Sequence, residues 1–188
     1  MPTAQRVYAM LANESLWDTA VRCHGVLARA QIPHAVLGGV AFCLHGYQRN
    51  AVDLDLLIRK GDTPAIQNLL TEAGFLWNEK QVEFTSPAGI PVRVVLAGDR
   101  AGKGSEVYLP DPADVTVTTT MDGLPLLILA RLIESKIACG EGNLRRTHKD
   151  FADVVELILV NKLSTPFARH LHKSLRTTFR NLVQQARG

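Results

Sequence analysis

Two aspartates interrupt an otherwise apolar segment: residues 52–58 read Val-Asp-Leu-Asp-Leu-Leu-Ile. That composition, broken by Gly61, predicts a strand. Side chains alternate on a strand, so Asp53 and Asp55 share one face while Leu54, Leu56 and Ile58 share the other. The two Cα atoms should lie about 6.5 Å apart, two strand rises. Carboxylates at that spacing repel, and desolvating each costs several kcal/mol unless a positive group is supplied. A divalent cation would supply it, because Mg²⁺ binds one or two carboxylates together with substrate phosphates. An exposed face, or neutralisation by Arg49 and Arg59, would solve the same problem.

Upstream, residues 34–39 predict a short strand that ends at Gly38-Gly39 and runs into a short helix over 40–45. Glycines at such a junction let backbone approach a phosphate. A plain tight turn uses the same pair. The order of glycine pair, basic residue (Arg49) and two carboxylates on the next strand is the one that metal-dependent phosphoryl or nucleotidyl transfer requires.

Around this unit the periodicity predicts helices over 14–31, 64–73, 125–138, 147–160 and 166–186. Strands are expected at 115–119 and, as a hairpin, at 80–85 and 90–97 around Ser86-Pro87-Ala88-Gly89. The order is mixed α/β first and helical last. It predicts an α/β (α+β) core over residues 1–120, a small mixed sheet flanked by helices, with a helical part over 121–188 closing one wall of a cleft. A chain of 188 residues can bury such a core without disulfides or metal.

The segment LGGVAFCLHGYQRNAVDLDLLI resembles the signature of the DNA polymerase β-type nucleotidyltransferase superfamily. Later segments are similar to a narrower group, the minimal nucleotidyltransferases that include abortive-infection toxins. These are the loop AGDRAGKGSEVYLPDPADV, the helix LPLLILARLIESKIACG with Lys136, and the helix RTHKDFADVVELI with Lys149, Asp150 and Asp153. The resemblance spans about residues 30–160 and implies a fold, an activity and a site. Asp53 and Asp55 would hold Mg²⁺, Gly38 and Gly39 would cradle phosphates, and Arg49 and Lys136 would balance triphosphate charge. Asp150 would assist a base. The implied reaction moves a nucleotidyl group from an NTP to RNA or protein, and a cognate antitoxin is an implied partner.

Two departures stand out. Ala51 occupies a position where the family has Thr or Ser. The family's third carboxylate, on a later strand, falls on Arg93 or Val95. An arginine aimed at Asp53 and Asp55 would take the cation's place and leave a degenerate protein that binds a nucleotide, an RNA or a partner without catalysis. Alternatively Glu83 supplies the missing carboxylate. A two-residue hairpin loop pairs residue 82 with 93 and turns Glu83 away, whereas a three-residue loop pairs 83 with 93.

Other features carry less. Lys136 reads equally as a lysine at a helix edge, and Asp150 with Asp153 as a solvated ion-pair network. His45 and His148 are minor candidates for phosphate contact, and Trp17 and Trp77 read as core or rim. Cys23, Cys43 and Cys139 form no pairing or zinc pattern and read as free thiols in a reducing cytoplasm. Neither a secretion signal nor a membrane helix is visible, so a cytoplasmic protein without membrane contact is expected. The chain carries +3 overall, and after Glu156 its charged side chains are all basic. Arg169, Lys173, Arg176 and Arg180 would form one stripe on the last helix, suited to RNA phosphates or to solvent.

Overall fold

The structure, a computed structural model, describes residues 4–10 and 13–187. The chain divides into two compact units. One comprises the chain up to residue 44, residues 48–97 and residues 111–127; the other comprises residues 45–47, 98–110 and 128 onward.

The first unit holds helices α1 (Ala4–Met10), α2 (Glu14–Arg29), α3 (Gly38–Leu44) and α4 (Thr63–Glu72). Its strands are β1 (His34–Leu37), β2 (Leu54–Ile58), β3 (Leu76–Asn78), β4 (Glu83–Thr85), β5 (Pro91–Leu96), β6 (Thr118–Met121) and β7 (Leu124–Leu127). They form one seven-stranded sheet in the order β3-β4-β5-β2-β1-β7-β6. The sheet is mixed: β2 runs parallel to β5 and β1 parallel to β7, and the other pairs are antiparallel. This is the mixed α/β architecture that the sequence predicts.

Register follows from burial. Leu54, Leu56 and Ile58 are fully buried, as are Val92 on β5 and Phe84 on β4. A slip of one residue would send these rows to the wrong face. Helix α2 adds Leu16, Ala20, Cys23 and Leu27, spaced at a helical period, and α4 adds Ile66 and Leu70. Each large side chain buried this way contributes about 1.5–3 kcal/mol. The β4–β5 turn has three residues, 87–89: the Ser86 amide donates to the Ile90 carbonyl at 2.8 Å. Glu83 therefore pairs with Arg93.

Residues 124–127 are a strand, not the start of the helix expected over 125–138. A short apolar run does not tell a buried strand from a helix. Here Leu126 pairs with Val36 of β1, and Pro125 lies opposite Thr120 of β6. Two neighbouring strands thus satisfy a backbone that a helix would have satisfied internally.

In the second unit α5 (Leu129–Gly142) and α6 (Thr147–Val160) pack together, followed by α7 (Arg176–Gln185). Leu132, Ile133, Ile137, Val154, Leu157, Phe179 and Val183 form its core. The loop over 98–110 lies on α5 so closely that a Cβ on Gly102 would sit 1.9 Å from the Ala138 carbonyl oxygen. The helix expected over 166–186 is broken. Thr165–His170 and Lys173–Leu175 are 3-10 turns, and extended backbone at Leu171 separates them. The Arg176 guanidinium holds the break by donating to the carbonyls of Leu171 and Arg169. Arg169, Lys173, Arg176 and Arg180 consequently lie on three separate elements, and the single-helix stripe does not exist. Among the described residues no helix is long and apolar enough to cross a membrane.

His34, buried at the start of β1, donates from Nδ1 to the Ile32 carbonyl, which leaves Nε2 to accept from His24 Nδ1 at 3.0 Å. Burial lowers the basicity of both rings. The unfolded chain therefore binds protons that the folded chain refuses, and stability is lost as pH falls below about 6.5, the ordinary histidine value. Urea midpoints measured from neutral to mildly acid pH should fall, and the double variant His24→Gln/His34→Gln should flatten that slope.

Candidate functional site

β1 ends at Leu37, whose register partner on β2 is Asp55. The chain then turns through Gly38 at φ +69 into α3. A Cβ on Gly38 would stand 2.0 Å from Asp55 Oδ2, and one on Gly39 would stand 2.3 Å from the Ala51 Cβ. Both glycines are thus required by close packing against the β2 segment. Arg49 lies beside Gly39, half-buried, with its guanidinium over the Phe42 ring at 5.4 Å.

Strand β5 brings Arg93 directly alongside Asp55 in parallel register. Its Nη2 lies 2.7 Å from Asp53 Oδ2 and its Nε 2.9 Å from Asp55 Oδ1. Asp53 precedes β2 rather than lying in it, yet both carboxylates face this one guanidinium. The arginine side chain is 42% exposed, against 26% and 18% for the aspartates, although its Nε is buried. Glu83, half-buried on β4, continues the row, giving Asp55, Arg93 and Glu83 across three neighbouring strands.

Nucleotidyltransferases generally use divalent metals, and this arrangement does not fit one. The guanidinium occupies the space between Asp53 and Asp55, and the position beside Asp55 is an arginine instead of a carboxylate. Among the described residues no group of three or more His, Cys, Asp or Glu is placed to hold a metal ion.

Lys136 and Asp150 are brought together in the second unit. The Lys136 ammonium lies 2.8 Å from Asp150 Oδ1 and 2.9 Å from Asp153 Oδ2. Arg146 Nε reaches Asp150 Oδ2 at 3.2 Å. Burial pushes the Asp150 carboxyl up, but Lys136, Cys139 and Arg146 together hold it below the usual carboxylate range. The Cys139 thiol is pushed up by burial and by Asp150, which makes it a poor nucleophile.

A family model for aminoglycoside-2''-adenylyltransferase matches residues 21–154. The chain belongs to this family. Solved structures agree on the fold. ANT(2'')-Ia in complex with adenylyl-2''-tobramycin is 14% identical, covers 85% of this chain and 94% of its own, and superposes with a TM-score of 0.55. A putative nucleotidyltransferase from Thermotoga maritima is 15% identical over 73% of this chain and 92% of its own, with a TM-score of 0.52. An antigenic nucleotidyltransferase-like protein from Paracoccidioides brasiliensis is 20% identical, covers 88% of this chain and 85% of its own, and gives a TM-score of 0.51. No curated protein sequence matches the chain.

For a member of the adenylyltransferase family, the residues singled out by sequence fall into two groups. Gly38, Gly39, Arg49, Asp53 and Asp55 gather where β1, α3 and β2 meet. Lys136 and Asp150 pair with each other on α5 and α6. Asp150 and Asp153 are buried, not the solvated network that the sequence suggested. The signal was present: Asp150, Asp153, Val154, Leu157 and Ile158 recur at helical spacing and mark the buried face of α6. Glu134 escaped the sequence reading altogether. It is buried on α5, pairs with Arg131 and accepts from the His172 amide. His45 is buried, His148 exposed, Trp17 stacked on Tyr8 and Trp77 packed on Phe84. Cys23, Cys43 and Cys139 are free thiols.

Two stability measurements check this geometry. Gly38→Ala should destabilise the protein by at least about 2 kcal/mol in urea unfolding, since it adds both left-handed strain and overlap with Asp55. Lys136→Met removes the cation shared by two buried carboxylates and should cost roughly 3–5 kcal/mol, whereas Lys136→Met/Asp150→Asn/Asp153→Asn should recover part of that loss.

Proposed function

We propose that the protein binds a nucleoside triphosphate on the face carrying Asp53, Asp55 and Arg93 and transfers its nucleotidyl group to an acceptor hydroxyl. The observation that carries this reading is the charged row of Asp55, Arg93 and Glu83, with Asp53 beside it, in a chain of this family. The acceptor oxygen attacks the α-phosphorus, the bond from that phosphorus to the α,β-bridging oxygen breaks, and pyrophosphate leaves. Little covalent work falls to the protein, so positioning and electrostatics supply the rate. Arg93 and Arg49 are the cations that meet phosphate charge. Asp53 and Asp55 fix the Arg93 guanidinium. Glu83 makes no ion pair among the described residues, and it is the carboxylate to take the acceptor's proton.

The family's description names an adenylyl group and an aminoglycoside, which makes ATP and an aminoglycoside the first donor and acceptor to test. RNA and protein, the acceptors suggested by the toxin-like segments, enter the same assay. A second reading, nucleotide binding without transfer, is favoured by the Arg93 bridge itself. Incubation with each α-labelled NTP and each acceptor class, followed by product separation and pyrophosphate detection, distinguishes the two. Transfer predicts labelled product that is lost in Glu83→Gln and in Asp53→Asn. Saturable NTP binding with no labelled product from any acceptor leaves the binding-only reading.

A further inference from the structure

We infer that Arg93, seated between Asp53 and Asp55, is the cation that receives the triphosphate, so that nucleotide binding by this protein needs no divalent metal. This inference rests on the nucleotide reading above and departs from the metal-dependent pattern that the family implies. A triphosphate cannot approach two bare carboxylates, because like charges repel where water is partly excluded. Something positive must stand between them. In this chain that group is covalently part of β5.

Its seat is built by several independent features. The parallel β2–β5 register aligns Asp55 with Arg93 directly. The two ion pairs use different nitrogens, Nη2 toward Asp53 and Nε toward Asp55, so one guanidinium answers both carboxylates. A guanidinium carries five N–H donors, and the Arg93 side chain is 42% exposed, so it can meet a ligand as well as the two carboxylates. Gly38 packs so closely on Asp55 that a Cβ there would stand 2.0 Å from Oδ2, which limits the room that carboxylate has to move. Arg49, beside Gly39, adds a second positive charge to the same corner of the sheet.

A divalent ion entering this site would have to break both ion pairs and then sit beside the displaced guanidinium. Arg93 is one of the two positions on which the family's third carboxylate falls, and the parallel register sets it beside Asp55. Position 93 therefore decides between two chemistries: a carboxylate there completes a metal site, and an arginine replaces the metal.

The test measures ATP binding to the full-length protein by calorimetry, in excess EDTA and in excess Mg²⁺, with Mn²⁺ binding followed by electron paramagnetic resonance. Wild type should bind ATP with affinities that agree within about twofold in the two buffers and should show no Mn²⁺ site at Asp53 and Asp55. Arg93→Ala should weaken ATP binding by at least about tenfold, as expected for loss of a charge-assisted bidentate contact. Arg93→Lys keeps the charge, serves as the folding control and should weaken binding less. Arg93→Asp should gain a Mn²⁺ signal that Asp53→Asn abolishes. ATP binding that appears only with Mg²⁺, or a wild-type Mn²⁺ site lost in Asp53→Asn/Asp55→Asn, overturns the inference and leaves the nucleotide reading intact. Absence of binding by every NTP in both buffers overturns the nucleotide reading, and the inference with it.

Discussion

The alignment of β2 with β5 governs the chemistry of the first unit. Once Leu54, Leu56 and Ile58 are committed to the buried face, Asp55 must face the opposite way. Parallel pairing with β5 then sets Arg93 beside it, and the guanidinium reaches Asp53 as well. The repulsion between two carboxylates and the charge that relieves it are thus both consequences of apolar packing on the far side of the sheet. Exposed ion pairs contribute little to stability on their own. The importance of this one lies in what it excludes, since two anions already satisfied by an arginine offer a metal ion little.

Backbone geometry supports that arrangement. Gly38 is left-handed and touches Asp55, and Gly39 touches Ala51. In this chain the glycine pair is explained first by the need to bring α3 down onto β2. Any phosphate contact by this backbone comes in addition to that packing. Ala51 is 4% exposed, and a larger side chain there would press on Gly39.

The second unit solves a different electrostatic problem. Lys136, Asp150, Asp153 and Arg146 form a network in which two buried carboxylates are answered by two cations, one largely buried and one half-exposed. Removing one partner of such a network costs far more than the pair contributes, because a desolvated charge is left behind. Its members are thus held in place for structural reasons, whatever further role the α5–α6 pair has.

Local patterning in the sequence determined a good deal. Alternation around Asp53 and Asp55 defined their shared face, helical spacing defined α2, α4 and α6, and the glycine pair marked the β1–α3 turn. These features depend on neighbours within a few residues, where backbone sterics and periodicity suffice. Tertiary structure decided the rest. The loop of residues 87–89 put Glu83 beside Arg93, a choice between two registers that local sequence left equal. Pairing with β1 and β6 made 124–127 a strand, since an apolar tetrapeptide fits either conformation until partners are supplied. The side chain of Arg176 kept the last helix from starting at residue 166. Above all, the meeting of Arg93 with Asp53 and Asp55 joins residues about forty positions apart, and charge pairing over that separation is fixed by the sheet, not by the chain.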